Sequence, residues 1–271
     1  MAPARVRNAN CDGTFYIDAV TNEETHVSEP VTAAVLIIGD EILSGRTRDC
    51  NSSAIAAHLT GIGIALREIR VVGDVAEDII SAVNALRARY TYVFTTGGIG
   101  PTHDDITADA IGAAFGVAVD IDPRAVALMA PAYAARGIEL TAARLRMARI
   151  PAGAELVESD ISPAPGFQKG NVIVMAGVPD IMRSMLVAVT NHLRTGPKLN
   201  AVSIVVAQAE GEIADLFSAH QAAYPDVAMG SYPSFAEGRY RTELVLRCAD
   251  PGRLEEARAG LAHLLAEREL L

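Results

Sequence analysis

The sequence has few cysteines, fewer basic than acidic residues and no long apolar run. Its three cysteines, Cys11, Cys50 and Cys248, are widely spaced and match neither a disulfide framework nor a zinc site. Such usage is typical of a reducing compartment. No apolar run approaches the roughly 20 residues of a membrane span, and residues 1–30 lack the apolar core of a secretory signal. We therefore expect a cytoplasmic protein with no membrane partner.

The charge balance limits the classes of partner. In 271 residues there are 33 Asp and Glu against 23 Lys and Arg, which gives a net charge of −10. Binding to nucleic acid requires clustered Lys and Arg that release counterions from the phosphates, so we expect no nucleic-acid partner. A small anionic ligand stays possible, because it needs only local backbone amides, a few cations or a metal.

Strands and helices alternate along residues 31–196, and this order predicts an α/β domain with an open, mostly parallel sheet. The unbroken apolar run at residues 33–38 predicts a buried strand, and helix stop signals at glycine separate the elements. The predicted strands are residues 33–38, 65–72 and 92–96, and the predicted helices begin at Asn51 or Ser52, Ala76, Thr107, Pro123, Thr141 and just after Gly177-Val178-Pro179-Asp180. Residues 167–175 are predicted to form a hairpin that turns at Lys169-Gly170-Asn171. Met129, Met147, Met182 and Met185 are interpreted as core residues.

A second, smaller domain is predicted after Thr195-Gly196-Pro197, which has the composition of a domain boundary. Residues 197–271 follow the order strand, helix, strand, strand, helix. This order predicts a small α+β domain with its helices on one face of the sheet. Residues 1–30 are interpreted as an N-terminal extension that is mobile or loosely docked.

A glycine-rich loop follows the third predicted strand and ends in two carboxylates at the start of a helix. We call residues 97–105, Gly97-Gly98-Ile99-Gly100-Pro101-Thr102-His103-Asp104-Asp105, the glycine loop. Glycine lets the backbone approach a ligand closely, and exposed amides in such a loop attract phosphate. The loop is neither a Walker loop nor a dinucleotide fingerprint. The candidate phosphate-binding residues are Gly97, Gly98, Ile99, Gly100, Thr102 and His103, and for His103 a solvated loop position is the alternative.

Acidic residues follow each of the first three predicted strands. They are Asp40 and Glu41 after Gly39, Asp74 after Gly73, and Asp105 at the end of the glycine loop. Ligands of open α/β sheets bind beyond the carboxyl ends of the strands. Carboxylates do not bind phosphate directly, so we expect a bridging divalent cation, most simply Mg²⁺. The alternative is that these acids cap the helices that follow.

The roles predicted for these acids overlap. Asp105, Asp74 and Glu41 are the candidate metal ligands, and Asp105, Asp74 and Asp40 are the candidate catalytic residues. Three further residues are predicted to bind the ligand near this edge of the sheet: Ser44, Gly177 and Pro179.

These motifs together resemble a known family. Residues 31–194 resemble the molybdopterin-binding MoaB/Mog fold, through residues 39–45 with Asn51, through the glycine loop, and through Gly177-Val178-Pro179. Residues 100–105 are most similar to the competence-damage-inducible, CinA-type branch and to the molybdopterin-binding-like domain of eukaryotic FAD synthases. Residues 230–235 and the strand at 240–247 resemble the small domain that follows in those proteins.

The resemblance implies a three-layer α/β/α fold, a homo-oligomer, and a site for the phosphate of a pterin or a nucleotide. In pterin-processing relatives, the acids that match Asp74 and Asp105 serve a metal-dependent adenylyl chemistry. In the CinA branch, the domain is associated with hydrolysis of nucleotide diphosphates such as ADP-ribose or FAD. That activity depends on a divalent cation, Mg²⁺ or Co²⁺, and on K⁺.

The sequence also departs from the family. The larger CinA proteins carry an amidohydrolase domain for nicotinamide mononucleotide, and eukaryotic FAD synthases carry an adenylyl-transferase domain. This chain ends at Leu271, so we expect neither activity. Ala176 stands where the family usually has a proline.

Three functional hypotheses follow. The leading one is metal-dependent hydrolysis of a nucleoside diphosphate derivative, with the amides of residues 97–100 holding the pyrophosphate and Asp40 or Glu41 as a second ligand or general base. The second is non-catalytic binding of molybdopterin or a related nucleotide. The third is a scaffold whose second domain is an assembly surface.

Overall fold

The computed structural model describes residues 30–236 and 238–271, so the predicted N-terminal extension lies outside the described residues except for Pro30. Among the described residues, no helix is both long enough and apolar enough to cross a membrane. The described part of the chain contains a six-stranded sheet, a two-stranded ribbon and a three-stranded sheet.

The first domain is built on the six-stranded sheet. The strands of this part of the chain are β1 (Thr32–Ile38), β2 (Ala65–Val72), β3 (Tyr92–Thr96), β4 (Val119–Ile121), β5 (Arg149–Pro151), β6 (Glu155–Val157), β7 (Gly166–Lys169) and β8 (Val172–Met175). The sheet order is β2-β1-β3-β8-β7-β6, while β4 and β5 pair separately. The first four strands of that order run parallel to one another. β7 runs antiparallel to both of its neighbours, β8 and β6. The predicted mostly parallel α/β sheet is confirmed.

Helices cover both faces of this sheet. They are α1 (Asp40–Leu43), α2 (Asn51–Gly61), α3 (Ala76–Arg89), α4 (Thr107–Phe115), α5 (Pro123–Ala135), α6 (Ala142–Leu145) and α7 (Pro179–Thr190). Because side chains alternate along a strand, Leu36 of β1 packs in a cluster with residues of α3, α4 and α5, whereas Val35 packs with residues of α2 and α7. The three-layer arrangement is confirmed.

The predicted hairpin determines how the fourth parallel strand is added. β7 and β8 are joined by Gly170 and Asn171, with Gly170 at a positive φ of 57°. The side-chain Nδ2 of Asn171 donates to the carbonyl oxygens of Arg87 at 2.9 Å and Tyr90 at 3.0 Å, which ties the turn to the end of α3. The chain reverses there, so β8 runs antiparallel to β7 and parallel to β3.

The second sheet contains β9 (Asn200–Val206), β10 (Ala228–Ala236) and β11 (Arg239–Cys248) in the antiparallel order β10-β11-β9. The helices α8 (Glu210–Ala223) and α9 (Pro251–Glu267) pack on one of its faces, where Leu216 and Leu261 join Leu244 in a separate core. The predicted small α+β domain is confirmed.

Some local predictions were wrong. Asn51 and Ser52 do not cap α2; instead the Asp49 carboxylate accepts from the backbone amides of both, at 2.9 and 3.1 Å. The helix predicted from Thr141 ends at Leu145 and continues as a 3₁₀ turn over Arg146–Ala148.

Two glycines face each other where the first domain ends. The amide of Gly196 donates to the carbonyl oxygen of Gly63 at 3.2 Å. Gly63 has a positive φ of 76°, and a Cβ there would collide with the carbonyl oxygen of Gly196. This close approach requires a residue without a side chain at position 63.

Candidate functional site

The glycine loop begins where β3 and β8 end side by side. The amide of Gly97 donates to the carbonyl oxygen of Met175 at 3.3 Å. Gly97 and Gly98 have positive φ values of 103° and 66°, and a Cβ at Gly97 would collide with the carbonyl oxygen of Ile38. The fully buried Thr107 then ties the loop to α4, since its hydroxyl donates to the carbonyl oxygen of Gly97 at 3.0 Å. These positions require glycine for the chain to turn here.

Three successive amides of the loop are free. Among the described residues, no group accepts a hydrogen bond from the backbone amides of Gly98, Ile99 and Gly100. The amide of Gly97 is engaged by Met175, so the predicted set of four phosphate-binding amides is reduced to three. Consecutive free amides of this kind form a concave site for an anion.

A cleft of about 470 Å³ lies beside the loop. Its lining includes Gly97 to Pro101, Asp105, Glu41, Gly177 and Val178. Its size falls in the usual range for small-molecule sites, about 300–1,000 Å³. The structure thus brings together ligand candidates from the ends of three strands: Glu41 after β1, the glycine loop after β3, and Gly177 after β8.

Asp40 and Asp74 contact each other rather than the cleft. The amide of Asp40 donates to Asp74 Oδ2 at 3.0 Å, and the amide of Asp74 donates to Asp40 Oδ1 at 3.3 Å. Burial raises the pKa of the Asp74 carboxyl above its ordinary value, and the negative charges of Asp40, Glu41 and Asp104 act in the same direction. Acidic groups from all three strand ends therefore lie within electrostatic reach of one another.

Asp105 closes the glycine loop. Its Oδ2 accepts from the amide of Thr102 at 2.7 Å and from the hydroxyl of Thr102 at 2.6 Å. A Cβ at Gly100 would lie 2.6 Å from the same oxygen, so glycine is needed there for the carboxylate to fit. Asp105 Oδ1 accepts no hydrogen bond from a described residue, and it stays available to a ligand or cation.

The capping alternative is not what the structure shows. α1 begins at Asp40, while α3 and α4 begin two residues after Asp74 and Asp105, and none of these helices has a side-chain cap hydrogen bond. The three acids instead hold loops to one another. Their placement at the strand ends therefore has a role in the shape of the site rather than in helix initiation.

A metal site made of protein ligands alone does not fit this arrangement. In the part of the chain that the structure describes, no three His, Cys, Asp or Glu side chains converge to hold a metal ion. Mg²⁺, however, is commonly held by one or two carboxylates together with water and substrate phosphates. Of the three predicted metal ligands, Asp105 and Glu41 line the cleft, and they are the residues that would hold a cation shared with a bound phosphate. Asp74, the third predicted metal ligand, is engaged with Asp40.

Four of the predicted ligand residues do not line the cleft: Ser44, Thr102, His103 and Pro179. Ser44 ends α1, where its amide donates to the carbonyl oxygen of Asp40 at 2.9 Å. His103 is fully exposed, with its Nδ1 3.9 Å from Asp104 Oδ1. Pro179 is the first residue of α7, a position that suits proline because no amide is needed there.

Sequence reasoning missed two contacts and several residues that line the cleft, among them Met147 and Met185. Asn51 is 7% exposed and donates from Nδ2 to the carbonyl oxygen of Gly177 at 2.8 Å. Arg146 donates from Nη2 to the carbonyl oxygen of Asp105 at 3.3 Å. Met147, interpreted as a core residue, lines the cleft. These contacts join residues far apart in the chain, and no local pattern signals them.

Family models match both domains. The model described as "Probable molybdopterin binding domain" matches residues 34–195, and the model described as "FAD synthase, middle domain" matches residues 198–271. A protein of Aeropyrum pernix is 31% identical over 242 residues, which cover 86% of this chain and 90% of that one. A protein of Metallosphaera sedula is 36% identical over 169 residues, which cover 60% of this chain and 64% of that one, slightly under two thirds of its length.

Solved structures resemble the first domain. CinA from Thermoplasma acidophilum, described as a protein of unknown function, superposes with a TM-score of 0.56 at 34% identity and covers 61% of this chain and 99% of its own. The molybdopterin biosynthesis enzyme MoaB from Thermus thermophilus has a TM-score of 0.41 at 19% identity, with 60% and 91% covered, so that likeness concerns the fold alone. The first family model spans more than half of the chain, and the protein therefore belongs to the molybdopterin-binding domain family of MoaB/Mog fold, with a first domain like that of CinA and a second domain that matches the FAD synthase middle domain.

Proposed function

We propose that the cleft beside the glycine loop binds a phosphorylated nucleotide or pterin and hydrolyses the pyrophosphate of a nucleoside diphosphate derivative such as ADP-ribose or FAD. One observation carries the proposal. The cleft brings the three free amides of residues 98–100 together with the carboxylates of Glu41 and Asp105.

The free amides of the loop would bind the pyrophosphate. They are consecutive, they donate no hydrogen bond to any described group, and they lie at the edge where sheets of this class bind ligands. Their positions are constrained by the backbone geometry of Gly97 and Gly98 and by Thr107. A preformed amide cradle binds the phosphate oxygens without a further ordering cost.

The carboxylates would supply the remaining chemistry. A divalent cation, Mg²⁺ or Co²⁺, held between Asp105, Glu41 and the phosphate oxygens would neutralise charge and lower the pKa of a bound water. Asp105 Oδ1 is the free oxygen on one side of this site, while Oδ2 keeps the loop closed. The Asp40–Asp74 contacts fix the start of α1 and, with it, the position of Glu41, which is the better placed of the two candidate bases.

The second candidate function is binding of molybdopterin or a related nucleotide without catalysis. It is favoured by the description of the matching family and by the lack of a three-ligand metal site among the described residues. It uses the same amides and needs no positioned water. The third hypothesis, a scaffold, gains no support from a cleft of this composition. The predicted homo-oligomer and the predicted requirement for K⁺ stay predictions.

Turnover by an Asp105→Asn variant tests the proposal. Release of AMP from ADP-ribose and FAD is measured with and without Mg²⁺ or Co²⁺, in the presence of K⁺. Because the amide still accepts from Thr102 but binds a cation poorly, we expect metal-dependent turnover to fall by about 10²-fold or more. Asp120→Asn, on the exposed part of β4, is the matched control and should keep full turnover.

Two other results would redirect the assignment. Unchanged metal-dependent turnover in Asp105→Asn would remove Asp105 from the mechanism. Calorimetry that shows binding of ADP-ribose or FAD to the unaltered protein, with no product formed under any of these conditions, would favour the non-catalytic binder.

A further inference from the structure

Two arginines lie beneath the glycine loop. Arg146 and Arg149 line a small cavity of about 10 Å³, whose lining also includes Gly98, Gly100 and Asp105. A volume of this size holds about one water molecule. The two side chains are three positions apart in sequence, yet their surroundings differ in a way that separates their roles.

The charge of Arg149 is fully used within the protein. Its Nη1 and Nη2 donate to the two carboxylate oxygens of Asp109, both at 2.6 Å. This is the two-pronged geometry in which an arginine and a carboxylate match best. Arg149 therefore holds β5 against α4, and the pair adds no net charge to the cavity.

The charge of Arg146 has no such partner. It donates from Nη2 to a backbone carbonyl, that of Asp105, at 3.3 Å, and its buried Nε has no hydrogen-bond partner. Among the described residues it forms no ion pair, although Asp109 is held by the arginine three positions on. A half-buried guanidinium with free donors normally finds an anion or an ordered water.

The cleft itself needs a positive charge. The side chains with charge around the glycine loop are otherwise acidic, namely Asp40, Glu41, Asp74, Asp104 and Asp105. The free amides of the loop donate hydrogen bonds but carry no net charge. The carboxylates repel a pyrophosphate that enters the cleft unless a positive charge offsets them. An arginine supplies such a charge, and its guanidinium matches the geometry of a phosphate.

We propose that Arg146 is the counter-charge for the ligand phosphate in this cleft, and that it makes the site selective for phosphorylated ligands over the same molecules without phosphate. This inference rests on the proposed function, because it assigns a phosphate to the cleft. Arg146 does not itself line the cleft; it lines the small cavity, which shares Gly98, Gly100 and Asp105 with the lining of the cleft. Its buried Nε has no hydrogen-bond partner among the described residues. Asp105 keeps its backbone contact to Arg146, so the arginine also fixes the end of the loop.

The test measures the dissociation constants of ADP, inorganic pyrophosphate and adenosine by calorimetry, in EDTA and in Mg²⁺. We expect Arg146→Ala to weaken the binding of ADP and pyrophosphate by about 10- to 100-fold, the usual effect of losing a hydrogen bond to a charged group. The affinity for adenosine should stay unchanged. Arg146→Lys should recover part of the lost affinity, since lysine restores the positive charge but not the bidentate geometry of the guanidinium. The loss of affinity should be larger in EDTA, because no metal cation then neutralises part of the phosphate charge.

Two controls isolate the role of this arginine. The double variant Asp109→Asn with Arg149→Gln removes an arginine from the same cavity without changing the net charge, and it should bind ADP like the unaltered protein. Arg183→Gln, on the exposed face of α7, changes the net charge as much as Arg146→Ala does and should have little effect. Thermal unfolding of each variant shows whether the fold is kept.

The outcomes separate this inference from the proposed function. If the unaltered protein binds ADP and Arg146→Ala binds it equally well, Arg146 has no role in phosphate binding and the proposed function stands. Equal losses for ADP and adenosine would show that the arginine acts on the shape of the loop alone, which also overturns the inference. If the unaltered protein binds neither ADP nor pyrophosphate, with or without Mg²⁺, the proposed function fails first.

Discussion

The two domains differ in how they treat buried polar groups. In the first domain, three buried side-chain atoms have no hydrogen-bond partner: Asn51 Oδ1, Thr95 Oγ1 and Arg146 Nε. The described residues of the second domain contribute none. There, the buried His220 contacts the carbonyl oxygen of Ala257 through Nε2 at 2.8 Å, and the buried Thr242 donates to the carbonyl oxygen of Gln208 at 2.8 Å.

The unpartnered atoms are grouped near one edge of the first sheet. Thr95 lies two positions before the glycine loop, Asn51 contacts Gly177, and Arg146 contacts Asp105. Burying a polar atom without a partner costs stability, so folded proteins rarely keep such atoms without a reason. The first domain therefore leaves buried polar atoms without partners around the proposed ligand site, whereas the described residues of the second domain leave none.

Replacing Gly97 should have the largest effect on this comparison. Gly97→Ala places a Cβ against the carbonyl oxygen of Ile38 at a φ of 103°, so the free energy of unfolding should fall by about 3 kcal/mol. Urea unfolding measures the change. Gly211→Ala is the matched control, since its Cβ would meet open space on α8 and should stabilise by about 0.5 kcal/mol. Similar midpoints for both variants would show that the loop is not constrained as described.

Removing a helix cap in the second domain should have an intermediate effect. The Asp250 carboxylate accepts from the amides of Gly252 at 2.7 Å and Arg253 at 3.2 Å at the start of α9. Asp250→Ala should therefore cost about 1 kcal/mol in the free energy of unfolding. Its affinity for ADP should match that of the unaltered protein. A clear loss of ADP binding with the fold intact would mean that the second domain takes part in the site.

The smallest expected effect is a pH-dependent gain in the free energy of unfolding when Asp74 is replaced by Asn. Because its pKa is raised in the folded protein, the folded state binds this proton more tightly than the unfolded state does. The stability due to this group is therefore greatest at low pH and declines as the pH rises through the folded pKa. Asp74→Asn should be more stable than the unaltered protein near neutral pH, by a few tenths of a kcal/mol after solvent screening, and the gain should vanish below about pH 3.9.

Urea unfolding across that pH range measures the effect, with Asp78→Asn as the control. Asp78 lies exposed in the first turn of α3, where its charge favours the helix dipole, so its removal should lower stability slightly at neutral pH. A gain in Asp74→Asn that does not change with pH would show that the crowding of carboxylates is not its cause.

The sequence was sufficient for the parts of the fold that depend on local signals. The first three strands, the turn at Gly170 and Asn171 and the order of the second domain each follow from a strand pattern or a turn residue. The strands β4, β5 and β6 have three residues each, and α1 has four, so they contain no periodicity to detect.

The candidate site was predictable to the extent that it lies at strand ends. Parallel strands end at a common edge, so acids and glycines after β1, β2 and β3 had to be neighbours. The contacts of Arg146 with Asp105 and of Asn51 with Gly177 span 41 and 126 residues. Such contacts depend on how helices and turns pack in three dimensions, and no spacing in the sequence encodes them.

The paired glycines at the end of the first domain affect how the molecule can be divided. Gly196 donates its amide to Gly63, so the strand-like segment after α7 belongs to the first domain up to that residue. A truncated fragment that stops at residue 190, where α7 ends, would leave the Gly63 carbonyl oxygen without the amide that donates to it and uncover the turn after α2. An excised first domain should therefore retain the chain through Pro197.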